Sequence, residues 1–159
     1  MTAAVSLATA LFLATSLFHF ATFRWLSGGM SRITMSASIR MLVILLAIVV
    51  AHLAEIAGYA VAYAVAAEYL EIGAFGGIPI REPLDYLYFS TVSYTSLGLG
   101  DAFPGGHLRF IAGIEALNGL LLITWSGSFI YLAMRRLWPW QPCAEPNSED
   151  VGETHLSRE

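Results

Sequence analysis

The residues best suited to chemistry form one short run. From Ser96 to Asp101 the chain reads S-L-G-L-G-D, after a hydroxyl-rich stretch from Tyr88 to Thr95. Glycine reaches positive φ at little cost. Alternating glycine with other residues, as at Gly98 and Gly100, lets successive carbonyls turn to the same side. A row of aligned carbonyls is an oxygen ligand set for a cation stripped of water. Ser96 adds a hydroxyl at one end of that row. Read instead as an ordinary glycine turn between two helices, the run would leave its Ser/Thr neighbours and its closing aspartate as coincidences.

A second group consists of ionisable residues inside apolar runs. His52 and Glu55 stand three apart, and so do Glu115 and Asn118. That spacing puts each pair on one helical face. Such groups are expensive inside a membrane and are usually functional or paired. By rise per residue, Glu55 and Glu115 each fall about 10–16 Å from the same membrane face. Glu55 or Glu115 is therefore expected to face protein and bond hydroxyls such as Ser90, Thr91 or Tyr94. A purely structural contact competes with a proton-sensing role for His52 and Glu55. His19, near the end of the first apolar run, reads as a plain interfacial residue.

The elements that must position these residues follow from composition. Of 159 residues, 57% are hydrophobic and 13% charged, against about 25% charged in ordinary globular domains. The chain has eight arginines and no lysine, and its net charge is -4 with the acids in one loop and the tail. That distribution offers no basic surface for nucleic acid. The single Cys143 forms no intrachain disulfide and reads as a free surface thiol; no metal-type Cys/His spacing occurs. The N-terminal run carries no charge before Arg24, so it reads as a retained helix rather than a cleaved signal.

A bilayer takes about 20 apolar residues to span. Three runs qualify, at about 3–23, 41–66 and 110–134. The run at about 83–97 is too short to span and has the length of a re-entrant segment. Non-helical backbone at that depth is tolerated only where protein buries it or water lines it. Arg24, Arg32, Arg40, Arg135 and Arg136 lie on one side and Arg81 and Arg109 on the other. By the positive-inside rule the 24–40 loop and C-terminus are cytoplasmic, and the N-terminus and the 67–85 loop external. Trp25, Trp138 and Trp140 fall at the cytoplasmic interface. The acids Glu68, Glu71, Glu82 and Asp85 read chiefly as a solvated loop. The tail is polar and expected to be disordered.

The stretch L-Y-F-S-T-V-S-Y-T-S-L-G-L-G-D, Leu87 to Asp101, resembles the pore loop of potassium channels and aligns with its pattern without a gap. The likeness extends over roughly 41–137, the second span through the third. It implies a selectivity filter of Ser96, Leu97, Gly98, Leu99 and Gly100, with potassium held by carbonyls of Ser96, Leu97, Gly98 and Leu99 and by the Ser96 hydroxyl. Asp101 caps the outer mouth; Thr95, Glu55 and Glu115 support the filter. Channels of this kind bend the inner helix at a glycine, and Gly119 lies about where that hinge falls. Ser96 stands for the usual Thr and Leu97 for Val. Leu99 stands for a Tyr whose ring hydrogen-bonds around the filter, which Leu99 cannot do. G-L-G also resembles the second filter of some two-pore-domain potassium channels.

The expected fold is an all-α integral membrane protein: three transmembrane helices with a re-entrant pore helix and filter loop between the second and third. Residues 1–40 form an N-terminal helix and loop, 41–138 the pore domain and 139–159 a tail. The first span is expected to pack peripherally. A ring of carbonyls requires four copies, hence a homotetramer in lipid, in a plasma membrane of bacterial type. Beyond permeant potassium no cofactor is expected, nor any soluble partner or enzymatic activity. Potassium conduction leads; a weakly selective cation channel and a non-conducting adaptor with a pore-like fold are the alternatives.

Overall fold

A computed structural model describes residues 1–29 and 35–138. Arg32, Trp140, Cys143 and the tail lie outside the described residues. The chain is an all-helical integral membrane protein. Helix α1 spans Thr2–Gly29, α2 Ala37–Glu68, α3 Pro83–Tyr94 and α4 Leu108–Leu137. With 28, 32 and 30 residues, α1, α2 and α4 are each long and apolar enough to cross a membrane. Many of their large apolar side chains, such as Leu17, Val50 and Leu121, are exposed. Exposed apolar area on that scale marks contact with lipid or protein.

The helices run past the expected span limits, so Arg24 and Trp25 are helical rather than in a loop. Ser36 opens α2 by accepting a hydrogen bond from the Ile39 amide at 3.4 Å. Pro83 opens α3, where its missing N–H costs nothing. The Asp85 carboxylate accepts from the Arg81 and Glu82 amides, each at 2.9 Å. Those two bonds hold its carboxyl below the usual range. Twelve residues make α3 a half-length helix.

Two three-residue strands, β1 (Phe75–Gly77) and β2 (Ala102–Pro104), pair antiparallel with Gly76 opposite Phe103. This pairing lies in what the sequence presents as plain loop. It ties the chain entering α3 to the chain leaving the glycine run. The loop acids are partly engaged too: Tyr86 donates to Glu68 at 3.0 Å, while Asp85 caps α3.

Within the chain, helix α1 is held by its neighbours. It packs against both α4 and α2. An apolar cluster containing Tyr59, Tyr63, Phe89 and Ile111 fills one half of the molecule. A second, with Phe23, Leu26, Ile44 and Ile48, fills the other. Buried polar residues occupy the band between them, including His19, Glu55 and Asn118.

Candidate functional site

Helix α3 ends at Tyr94, before the expected limit near Leu97, and the glycine run follows at once. The Ser96 amide donates to the Ser93 carbonyl at 2.9 Å and the Leu97 amide to the Val92 carbonyl at 3.0 Å. With Ser96 at φ +56°, this is the Schellman pattern of helix termination. Thr95 Oγ1 donates back to the Thr91 carbonyl at 2.7 Å. The first residue of the run is thus set by the end of α3.

Beyond it, Gly98 and Gly100 have φ of +59° and +77°, while Leu97 and Leu99 stay out of the left-handed region. Left-handed residues therefore alternate through 96, 98 and 100, as the same-side carbonyl argument requires. All six residues from Thr95 to Gly100 are exposed on the single chain. Their carbonyls accept no hydrogen bond from the described residues, and the amides of Gly98, Leu99 and Gly100 donate none. Backbone polar groups left without partners inside a membrane would need them from beyond the chain.

The far end of the run is also anchored. The Ile78 amide donates to the Asp101 carbonyl at 2.8 Å. Tyr88 donates to Asp101 Oδ2 at 2.5 Å, and the Ala102 amide to Oδ1 at 2.9 Å. The Tyr88 bond chiefly holds the Asp101 carboxyl below the usual carboxylate range. Tyr88 is a partner the sequence does not single out.

Both buried acids face protein. Glu115 accepts from Tyr63 at 2.5 Å and from Ser90 at 2.6 Å, joining α2, α3 and α4. Glu55 accepts from Tyr94 at 2.5 Å, one residue before Thr95. Thr91 is exposed and bonds only its own helix, to the Leu87 carbonyl. Asn118 turns away from Glu115: it donates to Thr15 at 2.6 Å and to Tyr59 at 3.1 Å.

His19 is not interfacial. It is fully buried, with Nδ1 2.8 Å from Glu55 Oε1 and Nε2 3.0 Å from Ser126 Oγ. His52 Nδ1 lies 2.9 Å from the Tyr94 hydroxyl and Nε2 3.0 Å from the same Ser126 oxygen. One available signal was the stripe on α1: Ala4, Ala8, Thr15 and His19 recur at helical spacing. His19, His52 and Glu55 each offer a ligand-type atom within 4.8 Å of the others. Those atoms are engaged in hydrogen bonds, so a metal would have to displace them.

Gly119 meets the end of α3. A Cβ there would overlap the Tyr94 carbonyl oxygen, whereas at Gly113 or Gly127 it would meet nothing within 4 Å. Close approach is itself a reason for glycine at this point. Overpacking costs typically about 1–3 kcal/mol. Gly119→Ala is accordingly expected to lower thermal stability in detergent by about that amount, and Gly113→Ala to leave it unchanged. Equal melting of the two variants would contradict the contact.

A family model described as ion channel matches residues 39–136. No curated protein and no solved structure matches the chain.

Proposed function

The chain belongs to the ion-channel family, and on that premise we propose that it is a passive potassium channel working as a homotetramer. Ion channels are not an enzyme class, and conduction calls for no cofactor beyond the permeant ion. Ser96, Leu97, Gly98, Leu99 and Gly100 supply the filter carbonyls, and Ser96 its hydroxyl. The observation that carries this reading is the exposed run whose carbonyls take no hydrogen bond from the described residues, along an alternating left-handed backbone. Helix α3 points its C-terminal, partly negative end at the same place, which favours a cation.

One copy supplies one side of a coordination shell, and four copies about an axis close it. Assembly would also cover Leu97 and Leu99, 62% and 58% exposed on the single chain. A groove of about 270 Å³ between α3 and α4, lined by Val92, Ala112 and Ala116 among others, offers those side chains of an adjacent copy a seat. Thr95, Asp101, Glu55 and Glu115 hold the filter from behind and at its ends. Helix α4 lines the cavity, and a bend at Gly119 would move it against Tyr94. The end bearing Arg135 and Arg136 faces the cytoplasm of a bacterial-type cell, by the positive-inside rule.

Leu99 favours a second reading, a weakly selective cation channel, because it makes no ring hydrogen bonds. Purified protein in liposomes tests conduction itself. Potassium flux from a species of four chain masses is the expected result. A tetramer or smaller species that passes no cation at any pH or voltage would favour the adaptor.

A further inference from the structure

The cluster around His19 is a closed ring. Glu55 Oε1 meets His19 Nδ1 at 2.8 Å, and His19 Nε2 meets Ser126 Oγ at 3.0 Å. Ser126 Oγ meets His52 Nε2 at 3.0 Å, and His52 Nδ1 meets the Tyr94 hydroxyl at 2.9 Å. Tyr94 returns to Glu55 Oε2 at 2.5 Å, and the same oxygen lies 3.3 Å from His52 Nδ1, a longer contact that crosses the ring and shares the hydrogen of the His52–Tyr94 link. These five side chains come from α1, α2, α3 and α4.

Each of the five links needs one hydrogen. With Glu55 ionised and both imidazoles neutral, the ring holds four: one on Tyr94, one on Ser126 and one on each imidazole. Tyr94 and His19 then donate to Glu55, and His52 donates to Tyr94. Ser126 satisfies only one of the two Nε2 atoms facing it; the other meets the serine oxygen lone pair to lone pair. One added proton completes all five links and brings the ring from a net charge of -1 to zero. The count is the same whether that proton sits on an imidazole or shifts round to Glu55. A second proton would leave a net positive charge buried, with no link to fill.

We propose that this ring is a single-proton site, and that its occupancy sets how firmly Tyr94, and through it the start of the filter, is held. The proton enters at His52, whose side chain is 17% exposed while those of His19 and Glu55 are nearly closed off. Tyr59 of α2 and Glu115 of α4 are the other titratable groups facing the ring. Both are committed elsewhere, Tyr59 to Asn118 and Glu115 to Tyr63 and Ser90. His19 lies outside the matched residues 39–136, so the site gives α1 a part in the pore unit. The coupling to conduction rests on the channel reading above; the proton count does not.

Two measurements separate them. Nitrogen NMR of the histidine rings, on purified protein in lipid discs over about pH 5 to 9, reads the proton directly. His19 and His52 are expected to change together as one proton leaves, and Ser126→Ala, which cuts the shorter of the two routes between them and leaves the one through Glu55, to separate their two titrations measurably. Rings that titrate independently in the wild type, or not at all, would overturn the site whatever the flux. Potassium flux over the same range should differ roughly tenfold between the two ends, the effect of losing one hydrogen bond to a charged group, and should flatten in Ser126→Ala. Joint titration with a flux profile that Ser126→Ala leaves unaltered would overturn the link to the filter.

Discussion

Gly98→Ala is expected to abolish potassium flux while leaving the protein folded. The methyl group meets no atom within 4 Å, so the effect is conformational rather than steric. Gly98 sits at φ +59°, where a residue with a Cβ costs about 1–2 kcal/mol. Relaxing to negative φ would break the left-handed alternation and turn a carbonyl away from its row. A ring of four copies would bear the cost four times, enough for a loss of flux on the order of a thousandfold. Gly113→Ala, which also meets open space but lies in regular helix, is the control. Wild-type flux in Gly98→Ala would show that the run carries no ions.

The second large effect falls on stability. Glu115 is fully buried and takes hydrogen bonds from Tyr63 and Ser90. Glu115→Ala removes this acceptor from both donors. Ser90 keeps the Ile56 carbonyl at 2.8 Å, whereas the buried Tyr63 hydroxyl loses its 2.5 Å partner and keeps only the Ser93 hydroxyl nearby. Leaving a buried donor poorly satisfied costs about 1–3 kcal/mol, and each lost hydrogen bond adds about 0.5–1.5 kcal/mol. Glu115→Ala should therefore cost about 3 kcal/mol or more. Glu115→Gln keeps an acceptor of the same shape and should cost less than half as much. Unfolding in detergent, read by tryptophan fluorescence, checks both; equal stabilities would mean that Glu115 does not hold α2, α3 and α4 together.

The fold was legible because bilayer thickness acts on run length. Three apolar runs long enough to span and one too short lead directly to three spanning helices and a half-length one. The depth of the buried acids followed from rise per residue alone. What the sequence hid is tertiary. His19 looks interfacial because its partners Glu55 and Ser126 are 36 and 107 residues away, and an apolar helix does not declare which face it turns inward. The pair β1–β2 is too short for a period of two, and its F-G-G and A-F-P segments have weak strand preference. The stop of α3 at Tyr94 depends on Ser96 taking a left-handed conformation that serine seldom adopts. Gly119 was visible as a glycine, but its contact with the Tyr94 carbonyl appears only once α3 and α4 are side by side.

On the channel reading, the lack of a tyrosine at Leu99 gives these contacts their weight. In place of a ring of aromatic hydrogen bonds, the proposed filter would have Tyr94 bound to Glu55 near one end and Asp101 bound to Tyr88 at the other. Both braces flank the glycine run, one near each end, and neither involves Leu99. The proposal of potassium selectivity rests on those braces keeping the row at fixed width.

The most direct test is the reversal potential of purified wild-type protein in a planar bilayer, with potassium on one side and sodium on the other. A potential close to the potassium equilibrium value is expected. A potential near zero with substantial current would contradict it: the carbonyl row would then pass both ions, and the braces at Tyr94 and Asp101 would not replace the tyrosine.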